Sequence, residues 1–212
     1  MPYISPHHIQ LMIDSRFCEQ DISEKFKLTL ANCFDQPTSF EPEEFESFHI
    51  EEILLYLRSS HDFYTNYWIP KIENSLLQIN QHLNGQYWSV KLLNLFFASY
   101  KKELLDHMQE EEDVLFNFVD LLLADKAKDV HAHFIVDHFL KTHNDNVIIH
   151  LSELKEDLLK FDHELKNDLM LEVLFQQIEH FQRDLMIHGL IEDQVFVYKV
   201  HAAIQAKFPH FS

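Results

Sequence analysis

From Ile50 onward, apolar residues recur in alternating steps of four and three. The first such stripe runs Ile50, Leu54, Leu57, His61, Tyr64, Trp68, and the second Leu93, Phe97, Tyr100, Leu104, His107, Glu111, Val114, Phe118, Leu121. A third runs Val136, Leu140, His143, Val147, His150, Leu154, Leu158, and a fourth Leu174, Ile178, Phe181, Leu185, His188, Glu192, Val195. That spacing gathers side chains on one face of an α-helix, the face a bundle buries. It predicts helices over about 50–84, 87–124, 131–160 and 163–206. Pro70 should kink the first or end a turn of it, Asn84-Gly85 should close it, and Lys126–Val130 reads as a polar loop. No stretch alternates as a strand would. The fold class is therefore all-α, and the short connections predict an up-down-up-down four-helix bundle.

Residues 1–47 differ. They carry four of the six prolines and no long periodic pattern, so they read as an N-terminal extension to a bundle over 48–212. A short helix is expected around Asp21–Phe34, with Leu28, Leu30 and Phe34 docking on the main body. Pro37 and Pro42 mark an irregular linker.

The stripes hold residues that do not belong in an apolar core. Each predicted helix places a His inward: His61, His107, His143 and His188. Two of them add a Glu one turn on, Glu111 after His107 and Glu192 after His188, since i and i+4 share a face. A buried carboxylate is costly unless it is paired or bound to a cation. Imidazole with carboxylate suits iron, manganese or zinc, and no inward Cys points to a thiolate site. Two His for each of two ions, with two shared Glu, is the arithmetic of a dinuclear centre. His150 lies on the third stripe but about 10 Å along the axis from His143, at about 1.5 Å per residue, and His138 lies well round that helix. Tyr64, one turn after His61, reads as core. A Glu-x-x-His pair of the ferritin type occurs once, at Glu46–His49 ahead of the bundle, so a ferroxidase is not expected.

Composition narrows the partners. The formal charge of −18 disfavours nucleic acid and anionic membrane surfaces, and no apolar run is long enough to span a bilayer. Two cysteines, Cys18 and Cys33, suit a reducing compartment and read as ordinary thiols. The N-terminus shows no basic region followed by an apolar one, so no signal peptide is expected and the location expected is cytoplasmic. Sixteen His in one chain again point toward metal.

At these residues the chain resembles the hemerythrin-like cation-binding family. His-Met-Gln-Glu-Glu-Glu-Asp-Val-Leu-Phe at 107–116 resembles the family's second-helix motif, and His-Gly-Leu-Ile-Glu-Asp-Gln-Val-Phe at 188–196 its fourth. Ser-His-Asp-Phe-Tyr at 60–64 is similar to its first and Thr-His-Asn-Asp at 142–145 to its third. The likeness covers about residues 48–206, with the four motifs in order. It implies two iron ions bridged by oxide or hydroxide, with His61, His107, His143 and His188 as terminal ligands and Glu111 and Glu192 as bridges. Oxygen-carrying members place two His four apart on the third helix. Here positions 139 and 147 are Phe and Val, and four His with two Glu is closer to the iron–sulfur-cluster repair di-iron proteins. Those carry an N-terminal module with adjacent cysteines, which Cys18 and Cys33 do not reproduce. The resemblance implies a stress-response protein reacting with or sensing O2, NO or reactive oxygen species, with an iron–sulfur protein as a repair partner. The alternatives are a reversible diatomic-binding or iron-storage protein without turnover, and a metal-free helical interaction module.

Overall fold

The computed structural model describes residues 6–17, 22–36, 39–128, 132, 135, 165 and 167–208. Every regular element among them is helical, and no helix of the described residues is long and apolar enough to cross a membrane. Two short helices come first, α1 (Pro6–Arg16) and α2 (Glu24–Asp35), then a single 3-10 turn at Pro42–Phe45. Three long rods follow, each made of two α-helices joined through one π-helical turn. The first rod is α3 (Ile50–Phe63), the turn Tyr64–Trp68 and α4 (Ile69–His82). The second is α5 (Trp88–Glu110), Glu111–Phe116 and α6 (Asn117–Leu123). The last is α7 (Leu169–Ile191), Glu192–Phe196 and α8 (Val197–Lys207).

Local signals set the rod ends. Asn84 and Gly85 both take positive φ, and the Gly85 N–H reaches back to the Asn80 carbonyl, closing α4 as the sequence predicts. The Asp168 carboxylate accepts from the N–H groups of Met170 and Leu171, capping the last rod. Pro70, expected to kink the first rod or end a turn of it, stands where the π turn gives way to α4. It sits in the first turn of α4, directly after the π turn, where a residue without an N–H is tolerated.

Pairwise contacts give the rod directions. First and second rods meet through Arg58 with Asp120, His61 with Glu111, Lys101 with Glu73 and Asn80 with Asn94, so one number falls as the other rises. First and last meet through His61 with His188, Trp68 with Asp184 and Ser75 with Gln177, again antiparallel. Second and last meet through Tyr100 with Phe181, Phe116 with Phe196 and Leu122 with Lys207, and run parallel.

The extension holds more structure than its sequence predicts. Besides the expected helix, found at Glu24–Asp35 with its N-terminus capped by the Ser23 hydroxyl, α1 is a second one. Its pattern is present in hindsight: Ile9, Met12, Ile13 and Phe17 are buried and fall on one helical face, but an isolated helix of eleven residues carries little signal. Both helices pack into the same core as the rods, through rings such as Phe26 against Phe48 and Tyr56. Leu30 and Phe34 dock as predicted. Leu28 does not: it is exposed, because Phe26, Leu30 and Phe34 define the inward face and Leu28 points away from it. The expected helix over 131–160, and with it His143, His138 and His150, lies outside the described residues, as does Cys18. Cys33 is buried with a free thiol whose pKa burial pushes up to about 12, so it stays protonated and inert.

Candidate metal centre

The three π turns lie where the candidate ligands are. In the first rod the turn opens three residues after His61, and in the other two it begins at Glu111 and at Glu192 themselves. A π turn widens the helix, frees backbone groups from the usual ladder and is enriched at functional sites. Here the i−5 hydrogen bonds run from Ile69, Asn117 and Val197 back to Tyr64, Glu112 and Glu192.

These turns bring four of the predicted residues into one buried cluster and a fifth to its edge. His61 Nε2 lies 3.1 Å from Glu111 Oε2, His107 Nε2 2.7 Å from Glu111 Oε1, and His188 Nε2 3.5 Å from Glu192 Oε2. The rings of His61 and His188 are 5.0 Å apart. His61, Glu111 and His188 each offer a ligand atom within 4.8 Å of the others, and all three are buried, as is Glu192. His107 departs from expectation. Its side chain is 47% exposed, and Met108, Leu115 and Leu122 occupy the core where the second stripe predicts His107, Val114 and Leu121. Relative to Leu104, position 107 sits about 60° to one side and position 108 about 40° to the other. Glu111 lies between them, so His107 flanks the core yet still reaches the carboxylate one turn on.

The donor set fits a borderline cation. Ligand atoms about 2.1 Å from one ion stand about 3 Å from each other, and the nitrogen–oxygen separations above bracket that value. Burial pushes the His188 pKa down despite Glu192, keeping it the neutral imidazole a metal requires. His61 goes the other way: burial lowers its pKa, but bonds to Glu111 and Glu112 more than offset this and raise it to about 9. The Glu111 carboxyl is held well below its ordinary range; burial would raise it, and His107 and His61 outweigh burial. Without an ion, the raised His61 pKa lets a proton link that imidazole to Glu111 and Glu112. No family model matches the chain, and neither does any curated protein or solved structure.

Residues absent from the predicted set complete the surroundings. His61 Nδ1 lies 3.0 Å from Glu112 Oε1, the other oxygen of Glu112, Oε2, accepts from Arg58 Nε, and Arg58 forks onto Asp120. A carboxylate on the far nitrogen fixes the tautomer and turns Nε2 toward the site. The signal was the Glu repeat at 110–112, which reads equally well as a solvated run. Asp184, fully buried one turn before His188, accepts from Tyr64 Oη, Trp68 Nε1 and Arg16 Nη2. It shares the stripe of His188 and Glu192 at steps of four, which the eye attributes to Leu185. Tyr64 is thus core, as expected, but core with a hydrogen bond.

The metal-free chain carries a pH signature. His61 has a folded pKa above its unfolded value near 6.5, so its contribution is complete below 6.5 and lost as pH rises through about 9. With a chelator present, wild type should lose melting temperature relative to His61→Gln across that interval. A constant difference between the two from pH 6 to 10 would contradict the charged His61–Glu111 pairing.

Proposed function

We propose that this chain is a hemerythrin-like non-haem metal protein, with a dinuclear iron centre held by His61, His107, His188, Glu111 and Glu192, and by His143 from outside the described residues. The observation that carries this reading is the convergence of buried His61, Glu111 and His188 ligand atoms from three different rods, each beside a π turn. Rod directions support a fourth member. The second rod ends where the last one ends, at Leu122 beside Lys207, yet the last rod begins at the opposite end. The helical stripe read in the sequence over 131–160 suits a fourth, returning helix, the up-down-up-down order of this proposal.

Bound there, redox-active ions supply reversible binding or reduction of a diatomic such as O2 or NO. The protein's own part is to hold the ions in a dry cavity, with Glu111 set between His61 and His107 and Glu112 orienting His61. Repair of an iron–sulfur partner deepens this reading by resemblance alone. A metal-free interaction module is the second reading, favoured by one observation: with His61 protonated between Glu111 and Glu112, the cluster closes without an ion. Metal analysis separates the two. Protein reconstituted anaerobically with iron(II) and desalted should retain close to two ions per chain, and a folded preparation that takes up none would remove the metal assignment.

A further inference from the structure

His61 and His188 are the two imidazoles at the heart of the cluster, and they are held in different ways. The far nitrogen of His61 is fixed by Glu112. The far nitrogen of His188, Nδ1, is buried and makes no hydrogen bond among the described residues. Its ring is held instead by two others, Tyr64 at 5.6 Å and 72°, and Tyr56 at 6.1 Å.

What places those two rings comes from outside the bundle. Arg16, the last residue of α1, is buried; its Nη2 donates to Asp184 Oδ2 at 2.5 Å and its Nη1 to Ser60 Oγ at 3.2 Å. The guanidinium lies over Phe63 at 4.9 Å and over Tyr56 and Tyr64 at 5.8 Å each. Asp184 in turn holds the Tyr64 hydroxyl at 3.1 Å. One cation therefore touches both rings that wall His188, and one carboxylate ties the Tyr64 ring to the rod His188 stands on. A forked guanidinium can meet a hydroxyl, a carboxylate and aromatic faces together, which an ammonium cannot.

We propose that Arg16 and Asp184 are positioning residues for His188, acting through Tyr56 and Tyr64, so that the N-terminal extension is a working part of the metal centre. This inference rests on the metal reading only for its second measurement.

The test uses the full chain and the paired variant Arg16→Met/Asp184→Leu. Replacing both charges avoids stranding either one in the core, as a single substitution would. In metal-free protein, the His188 imidazole should give one sharp set of ring resonances in wild type, and broadened or multiple sets in the paired variant while backbone signals of the rods persist. In a cobalt(II) titration, the variant should bind about 10-fold more weakly or worse, the loss typical when the support behind a ligand is removed, with displaced ligand-field bands. Unchanged His188 resonances in a folded variant overturn the proposal. So does unchanged cobalt affinity with unchanged bands. If wild type binds no cobalt, the metal reading falls, and the ring resonances alone decide whether Arg16 and Asp184 position His188.

Discussion

Glu111→Gln should lower metal affinity by on the order of 100-fold or more, and no other single substitution in the cluster should cost as much. Residues that merely orient a ligand are worth about 10- to 100-fold, and a ligand shared by two imidazoles should exceed that range. Glu111 faces His61 through one oxygen and His107 through the other, so it is the only described side chain that joins the first rod's imidazole to the second rod's. Gln keeps the shape but removes the charge that neutralises a cation in a dry site. Zinc or cobalt competition titration reads the effect directly. Asp113→Asn, an exposed change two residues on, serves as the control for altered net charge. Binding by Glu111→Gln within a few-fold of wild type would mean that the cluster is a proton-bridged core feature and not a metal site.

Asp184→Ala should destabilise the fold by about 3–5 kcal/mol, the cost of leaving a buried ion pair half made. The variant keeps Arg16 in the core with its partner removed, strips the acceptor from Trp68 and leaves Tyr64 only the backbone carbonyl at 184. The side chains of Arg16 and Asp184 are both almost wholly buried, so solvent cannot take over. Burial alone would lower the Arg16 pKa; Asp184 and the neighbouring tyrosines reverse this, and the guanidinium remains charged. Replacing both members by apolar residues should recover most of the loss. Urea denaturation midpoints of the two single variants and the pair test this. A single variant as stable as wild type would show that Arg16 can leave the core at little cost.

Much of this was legible in the sequence because helical periodicity reports burial directly. Every position of the fourth predicted stripe is buried, and so is every position of the first except the partly buried Ile50. The second stripe goes wrong at His107, Val114 and Leu121, because steps of four and three can be started on either side of Leu104 and both readings agree at Glu111. The π turns left no mark of their own, since nothing in Glu-Glu-Asp-Val-Leu-Phe or Glu-Asp-Gln-Val-Phe distinguishes a five-residue turn from a four-residue one. Arg16 was illegible for a different reason. Its partner stands 168 positions away, and a single cation at the end of a short helix carries no period to betray that it is buried.

The parallel course of the second and last rods has a consequence in symmetry. Each carries a His, a Glu four residues on and a π turn opening at that Glu, so the two rods repeat one motif in the same direction. The extension breaks this equivalence. Four residues before His188 stands Asp184, sealed by Arg16, whereas four before His107 stands Glu103, exposed. His188 is accordingly sealed from solvent and His107 is half open to it. Two rods carrying the same motif thus present their imidazoles to unlike media, one dry and one wet.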